Sequence, residues 1–145
     1  MSVSVKKIVL WRSEVDNRPG ALAGTLEALA QAGADLRIVM GYRYPGDPGK
    51  AAFELYPVST KKAAAAAQAA GLGATSIPTL LVEGDDRPGL GSRMARALAD
   101  EGINLGFLVS QVIGRKYSAI FGFETEEDAR KAAGLIRKAT KKPGR

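Results

Sequence analysis

The stretch Asp16-Asn17-Arg18-Pro19-Gly20-Ala21-Leu22 closes a strand-like run and opens a helix-like one, and the chain says it twice. Asp85-Asp86-Arg87-Pro88-Gly89-Leu90 repeats it at an offset of 69 residues. At that offset Leu29 answers to Leu98, Ala30 to Ala99, Gly33 to Gly102 and Leu36 to Leu105. A constant offset of this length marks an internal repeat, and a repeat constrains the fold before any other feature does. The 145 residues therefore divide into two units, expected at 1–73 and 74–145. Each is near the lower size limit for a self-sufficient core.

The chain has no cysteine and no histidine. That removes Ser-His-Asp and Cys-His nucleophilic sites, thiol redox chemistry and zinc sites built on Cys or His. No carboxylate pair stands at a recognisable catalytic spacing, so the expectation is a non-enzyme without cofactor or metal. The N-terminal segment has no apolar run behind a basic one, and no stretch is apolar enough to span a bilayer. A cytoplasmic location without a membrane partner is the expectation. The net charge of +6 gathers toward the end, at Arg137, Lys138, Lys141, Lys142 and Arg145. Basic residues complement a helix C-terminus, so this reads as a solvated helix end more readily than as a nucleic-acid patch.

In order, Val5–Ser13 reads as a strand that is apolar on both faces at Ile8-Val9-Leu10-Trp11. Pro19 suits the first turn of a helix running to Ala32, and Asp16 and Asn17 suit its cap. Leu22, Leu26, Leu29 and Ala30 give that helix one apolar stripe, and Gly33 ends it. Residues 34–44 and 51–57 read as a hairpin around Pro45-Gly46-Asp47-Pro48-Gly49. Ser59 then caps an alanine-rich helix closed by Gly71 and Gly73. The second unit repeats the order. Residues 74–83 hold a strand interrupted by Pro78, and a helix spans Pro88–Glu101. The strand Ile103–Ile113 places Leu105, Phe107, Val109 and Ile113 on one face, which leaves Leu108 and Val112, like Val39, on the face away from the helices. A strand over Tyr117–Glu124 follows, and Thr125-Glu126-Glu127-Asp128 starts the last helix. Each unit is β-α-β-β-α. Residues 74–77 offer the first unit a fourth strand, while the second runs out before one. The fold class is α+β: two ferredoxin-like βαββαβ units, each an antiparallel sheet with both helices on one face.

These residues resemble the ACT domain family, whose pattern is a strand, an Asp/Asn-x-Pro-Gly-x-Leu turn into a helix, and a helix end of Gly, an apolar residue and Asp or Asn. Asp16–Leu22 with Gly33-Ala34-Asp35-Leu36 looks like one copy, and Asp85–Leu90 with Gly102-Ile103-Asn104-Leu105 like another. The resemblance covers nearly the whole chain. It implies a stand-alone tandem of regulatory modules that binds a small ligand, most often an amino acid, where units meet. It also implies a homodimer, and an enzyme or transporter of amino-acid metabolism as the regulated partner. The implied ligand residues are Asp16, Asn17, Gly20, Ala21, Leu22 and Asp35 in the first unit and Asp85, Asp86, Gly89, Leu90 and Asn104 in the second. In the family a site often joins one unit's turn to the other's second strand, which would pair Asn17 with Asn104 and Asp86 with Asp35 where the two units of one chain face each other, or Asn17 with Asp35 where the pairing is intermolecular. The amide pair suits a zwitterion, whereas two close carboxylates disfavour an α-carboxylate.

Two other readings follow from the residues. A ferredoxin-like nucleic-acid module could stack bases on Trp11, Phe53, Phe107, Tyr117, Phe121 and Phe123, although their alternation favours core packing. A structural adaptor with vestigial ligand sites is the other.

Overall fold

The computed structural model describes residues 3–141. The elements are β1 (Ser4–Ile8), β2 (Trp11–Asp16), α1 (Ala21–Gln31), β3 (Ile38–Arg43), β4 (Lys50–Tyr56), α2 (Lys61–Ala69), β5 (Gly73–Ala74), β6 (Thr79–Asp85), α3 (Leu90–Asp100), β7 (Leu105–Ile113), β8 (Lys116–Phe123) and α4 (Glu126–Thr140). They form two four-stranded antiparallel sheets, ordered β3-β4-β2-β5 and β1-β6-β8-β7. Two compact units result. Val9–Ser76 is the first repeat, and the described residues 3–8 with 77–141 are the second.

The first repeat is a complete βαββαβ motif in chain order. The second obtains its fourth strand from the far end of the sequence, because β1 lies beside β6 with Val5 opposite Val82. So the expected single strand Val5–Ser13 is two strands in different sheets, parted at Val9-Leu10. The unbroken apolar run gave no local signal for the break. The residues on either side of Pro78 also part company. Gly73–Ala74 pairs with Trp11 and Arg12 in the first sheet, while Thr79–Asp85 opens the second.

Both motif turns are built alike. Ala21 N donates to Arg18 O at 3.3 Å and Leu90 N to Arg87 O at 3.2 Å, with Gly20 and Gly89 at φ of 88° and 81°. This is a type II turn, with proline at its second position and glycine at the third, where only glycine adopts positive φ without strain. Pro19 therefore precedes α1 rather than sitting in its first turn, and neither Asp16 nor Asn17 caps it. No side chain caps α1 or α3. Their C-termini close as expected. Ala34 N reaches Leu29 O and Ile103 N reaches Leu98 O, both at 3.0 Å, around left-handed Gly33 and Gly102. These are Schellman ends, which satisfy the last carbonyls. α2 is capped by Thr60 rather than Ser59, and α4 by Thr125; each hydroxyl accepts an amide three residues on at 3.0 Å.

β7 carries a bulge at Gly106, so Leu105 faces Phe123 but Phe107 faces Gly122. One extra residue exchanges the two faces of a strand. Leu108 and Val112 consequently lie opposite Phe121 and Tyr117, on the helix side, and Phe107, Val109 and Ile113 on the other. Val39, opposite Leu55, is helix-side as well. This reverses the expected assignment of these residues. They stay exposed because β3 and β7 are edge strands that the helices do not cover.

Candidate functional site

Each motif turn is locked to the hairpin of its own repeat, by different means. In the first repeat Lys50 Nζ lies 2.7 Å from Asp16 Oδ1, and Asn17 N donates to Gly49 O at 2.9 Å. Asn17 Nδ2 also donates to Pro48 O at 2.9 Å. The long Tyr44–Lys50 connection is thus strapped to the turn by the Asn17 side chain, whose Oδ1 remains to accept. In the second repeat Lys116 pairs with Asp85, and Asp86 N donates to Arg115 O at 2.8 Å. That hairpin connects through two residues, Gly114 and Arg115, against six in the first repeat. A carboxylate, which cannot donate, suffices there.

The strap also sets the charge at the first turn. The hydrogen bond and charge of Lys50 hold the Asp16 carboxyl below its ordinary value. Tyr44 Oη, donating at 2.6 Å, and Arg12 at 2.8 Å do the same for Glu14. Both acids are therefore committed to partners. The side chains of Arg18 and Arg43, by contrast, make no hydrogen bond and no ion pair among the described residues, although the charge of Arg18 also helps to lower the Asp16 carboxyl.

A cavity of about 300 Å³ opens between this turn and the outer strand β3. Asp16, Asn17, Gly20, Ala21 and Leu22 line it, five of the six first-unit residues expected from sequence. The sixth, Asp35, does not. It lies beyond the other end of α1 in a separate depression with Arg37, Ser59 and Thr60. The 11 residues of α1 span about 16 Å at 1.5 Å each, which separates the two places within one repeat. The cavity also gains Arg18, Gly41, Tyr42, Arg43, Ala51 and Phe53, which the motif alone does not single out. For all but Arg18, which stands inside the motif, the signal is hairpin register. Arg43 faces Ala51 and Gly41 faces Phe53, which brings the end of β3 beside the turn.

The arrangement has defined chemistry. The uncapped N-terminus of α1, Arg18 and Arg43 favour a carboxylate. Asn17 Oδ1 suits an ammonium, and Leu22 and Phe53 offer an apolar wall.

The second turn differs in the same space. By register Ala51 lies opposite Val15 and Tyr117 opposite Gly84, so Tyr117 stands for Ala51 as Leu90 stands for Ala21. Leu90 and Tyr117 are both buried in the second core. Tyr117 Oη reaches the first turn of α3, where a Cβ on Gly91 would meet it at 3.4 Å. Asp85, Asp86 and Gly89 are in place, but the chain's own side chains occupy what Ala21 and Ala51 leave open.

Most of the aromatic residues considered for base stacking lie in the two cores. Tyr117, Phe121 and Phe123 lie in the second core, with the last two rings stacked 6.4 Å apart, and Trp11 packs against the first. Among the described residues no cluster of acidic, Cys or His side chains could hold a metal, and no helix is long and apolar enough to cross a membrane.

Two ferredoxin-like units, each with a Pro-Gly turn into its first helix, give the chain an ACT-like α+β fold. The chain matches the ligand-free regulatory subunit of aspartate kinase from Thermus thermophilus with a TM-score of 0.65 at 20% identity, covering 97% of this chain and 98% of that one. A protein from Bacteroides thetaiotaomicron matches with a TM-score of 0.70 at 14% identity, over 94% and 98% of the two chains. Aspartate kinase from Synechocystis matches at 0.62 and 21% identity, over 96% of this chain but 26% of that enzyme. No family model and no curated protein sequence matches the chain.

Proposed function

We propose that this protein is a non-catalytic regulatory module that binds an amino acid or a closely related small carboxylate at the first motif turn. The observation that carries this reading is the open cavity beneath that turn, lined by Arg18, Arg43 and the N-terminus of α1 together with Leu22 and Phe53. Likeness in fold to regulatory subunits of aspartate kinase supports the class of function. An enzyme or transporter of amino-acid metabolism is the regulated partner on this reading, and the cytoplasm its place of action. The second turn, filled by Leu90 and Tyr117, is the silent copy.

Calorimetry with the twenty amino acids tests it. One ligand is expected to bind, and Ala51→Tyr, which copies the second repeat, is expected to abolish binding while the fold is retained. Arg43→Ala should weaken it by about tenfold or more, the loss of a charge-assisted hydrogen bond. Asn17→Ala, Asn104→Ala and Asp86→Ala then distinguish the turns. Binding lost only in Asp86→Ala would assign the ligand to the second turn and overturn the proposal.

The same reading includes a homodimer through β7. This edge strand has nine residues and no charge, and leaves Leu108, Val109, Val112 and Ile113 between 43% and 68% exposed. Long uncharged edges invite strand pairing. Light scattering should give a dimer mass, and Val112→Lys should return a monomer.

A further inference from the structure

The charges at the first-turn cavity do not balance. Asp16 is the one acidic residue among those that line it, and the ammonium of Lys50 already stands 2.7 Å away. That pair cancels. Arg18 and Arg43 remain, one on each of the two elements between which the cavity opens. A neutral zwitterion brings one carboxylate for two guanidinium groups and adds an ammonium to a mouth that is already cationic. A ligand with a cationic side chain would find no free acid at all.

Arg43 is also the cation that the fold does not require. At the 69-residue offset the second repeat has Val112 in its place. Each lies on the outer strand of its sheet, Arg43 opposite Ala51 and Val112 opposite Tyr117. The same strand position is thus built once with an apolar residue and once with a guanidinium, and the guanidinium falls in the repeat whose turn is open. The volume of about 300 Å³ is at the lower end for small-molecule sites, enough for one amino acid and too little for a nucleotide.

We propose that this site selects an acidic amino acid, a short α-amino dicarboxylate. The inference rests on amino-acid binding at the first turn and adds the class of side chain. The α-carboxylate lies at the N-terminus of α1 beside Arg18, the ammonium at Asn17 Oδ1, and the methylenes against Leu22 and Phe53. The second carboxylate meets Arg43, which sets the specificity. A guanidinium fork holds a carboxylate through two parallel N–H···O bonds. The amide of the same shape offers one oxygen, and its NH2 faces only donors.

Calorimetry compares glutamate and aspartate with their isosteric amides, glutamine and asparagine, and with lysine. One of the acids is expected to bind about tenfold or more tighter than its amide, and lysine not at all. Arg43 is exposed, so Arg43→Gln should fold. In that variant the acid and its amide should bind equally, whereas Arg18→Gln should weaken both together. Ala51→Tyr should abolish binding of every ligand, which ties it to this cavity. A neutral or cationic amino acid that binds best, and is lost in Ala51→Tyr, leaves the site in place and overturns the acidic specificity. A preference for the acid that persists in Arg43→Gln overturns it as well. If the native chain bound no amino acid, the reading of the site would fail and this inference with it.

Discussion

Leu29 and Leu98 hold the same station in the two repeats, and both are inaccessible to solvent, yet they belong to cores of different kinds. Leu98 is packed among Leu90, Met94, Phe121, Phe123 and Ile136, side chains that fill the space between sheet and helices. Leu29 has Leu55, Ala67 and Leu72 as fully buried companions, with half-buried residues such as Trp11, Leu26 and Leu36 around them. Position by position the first repeat has Ala21 for Leu90, Thr25 for Met94 and Ala51 for Tyr117. The backbone motif survives these exchanges because it depends on turns, caps and ladder hydrogen bonds. What changes is the volume left empty. One repeat places its apolar atoms in a core, and the other leaves a cavity beside the same turn.

The sharpest way to break that comparison is to empty both cores. Phe121→Ala should cost about 3–5 kcal/mol, the usual range for a fully enclosed aromatic. Leu55→Ala should fall near the low end of the leucine range, about 2–3 kcal/mol, because its surroundings are already sparse. Urea denaturation of both variants checks this. A larger loss from Leu55→Ala would mean that the first core is the tighter one.

A smaller effect tests where the repeats are alike. Gly20→Ala and Gly89→Ala should each cost about 1–3 kcal/mol, the strain of a left-handed non-glycine residue. A Cβ at either position meets no atom within 4 Å, so backbone strain alone acts and the two losses should match in denaturation midpoint. Smaller again is Asn17→Asp, which copies Asp86. It removes the donor to Pro48 O, worth about 0.5–1.5 kcal/mol, and should speed amide exchange in residues 45–49 only.

The smallest expected effect is on pH. Glu14 is held down by Tyr44 and then Arg12, and Asp16 by Lys50. A carboxyl lowered in the folded state adds stability that is complete above its unfolded value and lost as pH falls through the folded one. The strap at the first turn should therefore loosen only below the ordinary carboxylate range. Carboxyl NMR titration of Glu14 and Asp16 reads this directly, and normal midpoints for both would remove the strap from the account.

Much of this was legible because its causes are local. Pro-Gly before Ala21 and Leu90, Gly33 and Gly102 after their helices, and the acidic start of α4 each fix a chain direction within a few residues. The break at Val9-Leu10 was not legible, since Ile8 and Trp11 differ only in having partners some 70 and 60 residues away, Thr79 and Ala74. The faces of β7 were misassigned for a similar reason. The extra residue at Gly106 becomes visible only in register with Phe123 and Gly122. At the site, the turn was legible and its opposite wall was not. Arg43, Ala51 and Phe53 join it through hairpin register, while Asp35, expected to serve the turn of the other unit, lies at the far end of α1.

The placement of β1 gives the chain an awkward order of manufacture. Residues 4–8 are made before the first repeat but find their neighbour in β6 only after every element of that repeat has been made. Until then five residues, Val5 and Ile8 among them, wait unpaired beside a unit that is already able to close on itself. A cut between β1 and β2 should thus be felt in the second unit rather than the first. Loss of β1 would bare the edge of β6 and uncover Val82 and Leu80, while β2, β3, β4 and β5 keep their full complement of strands.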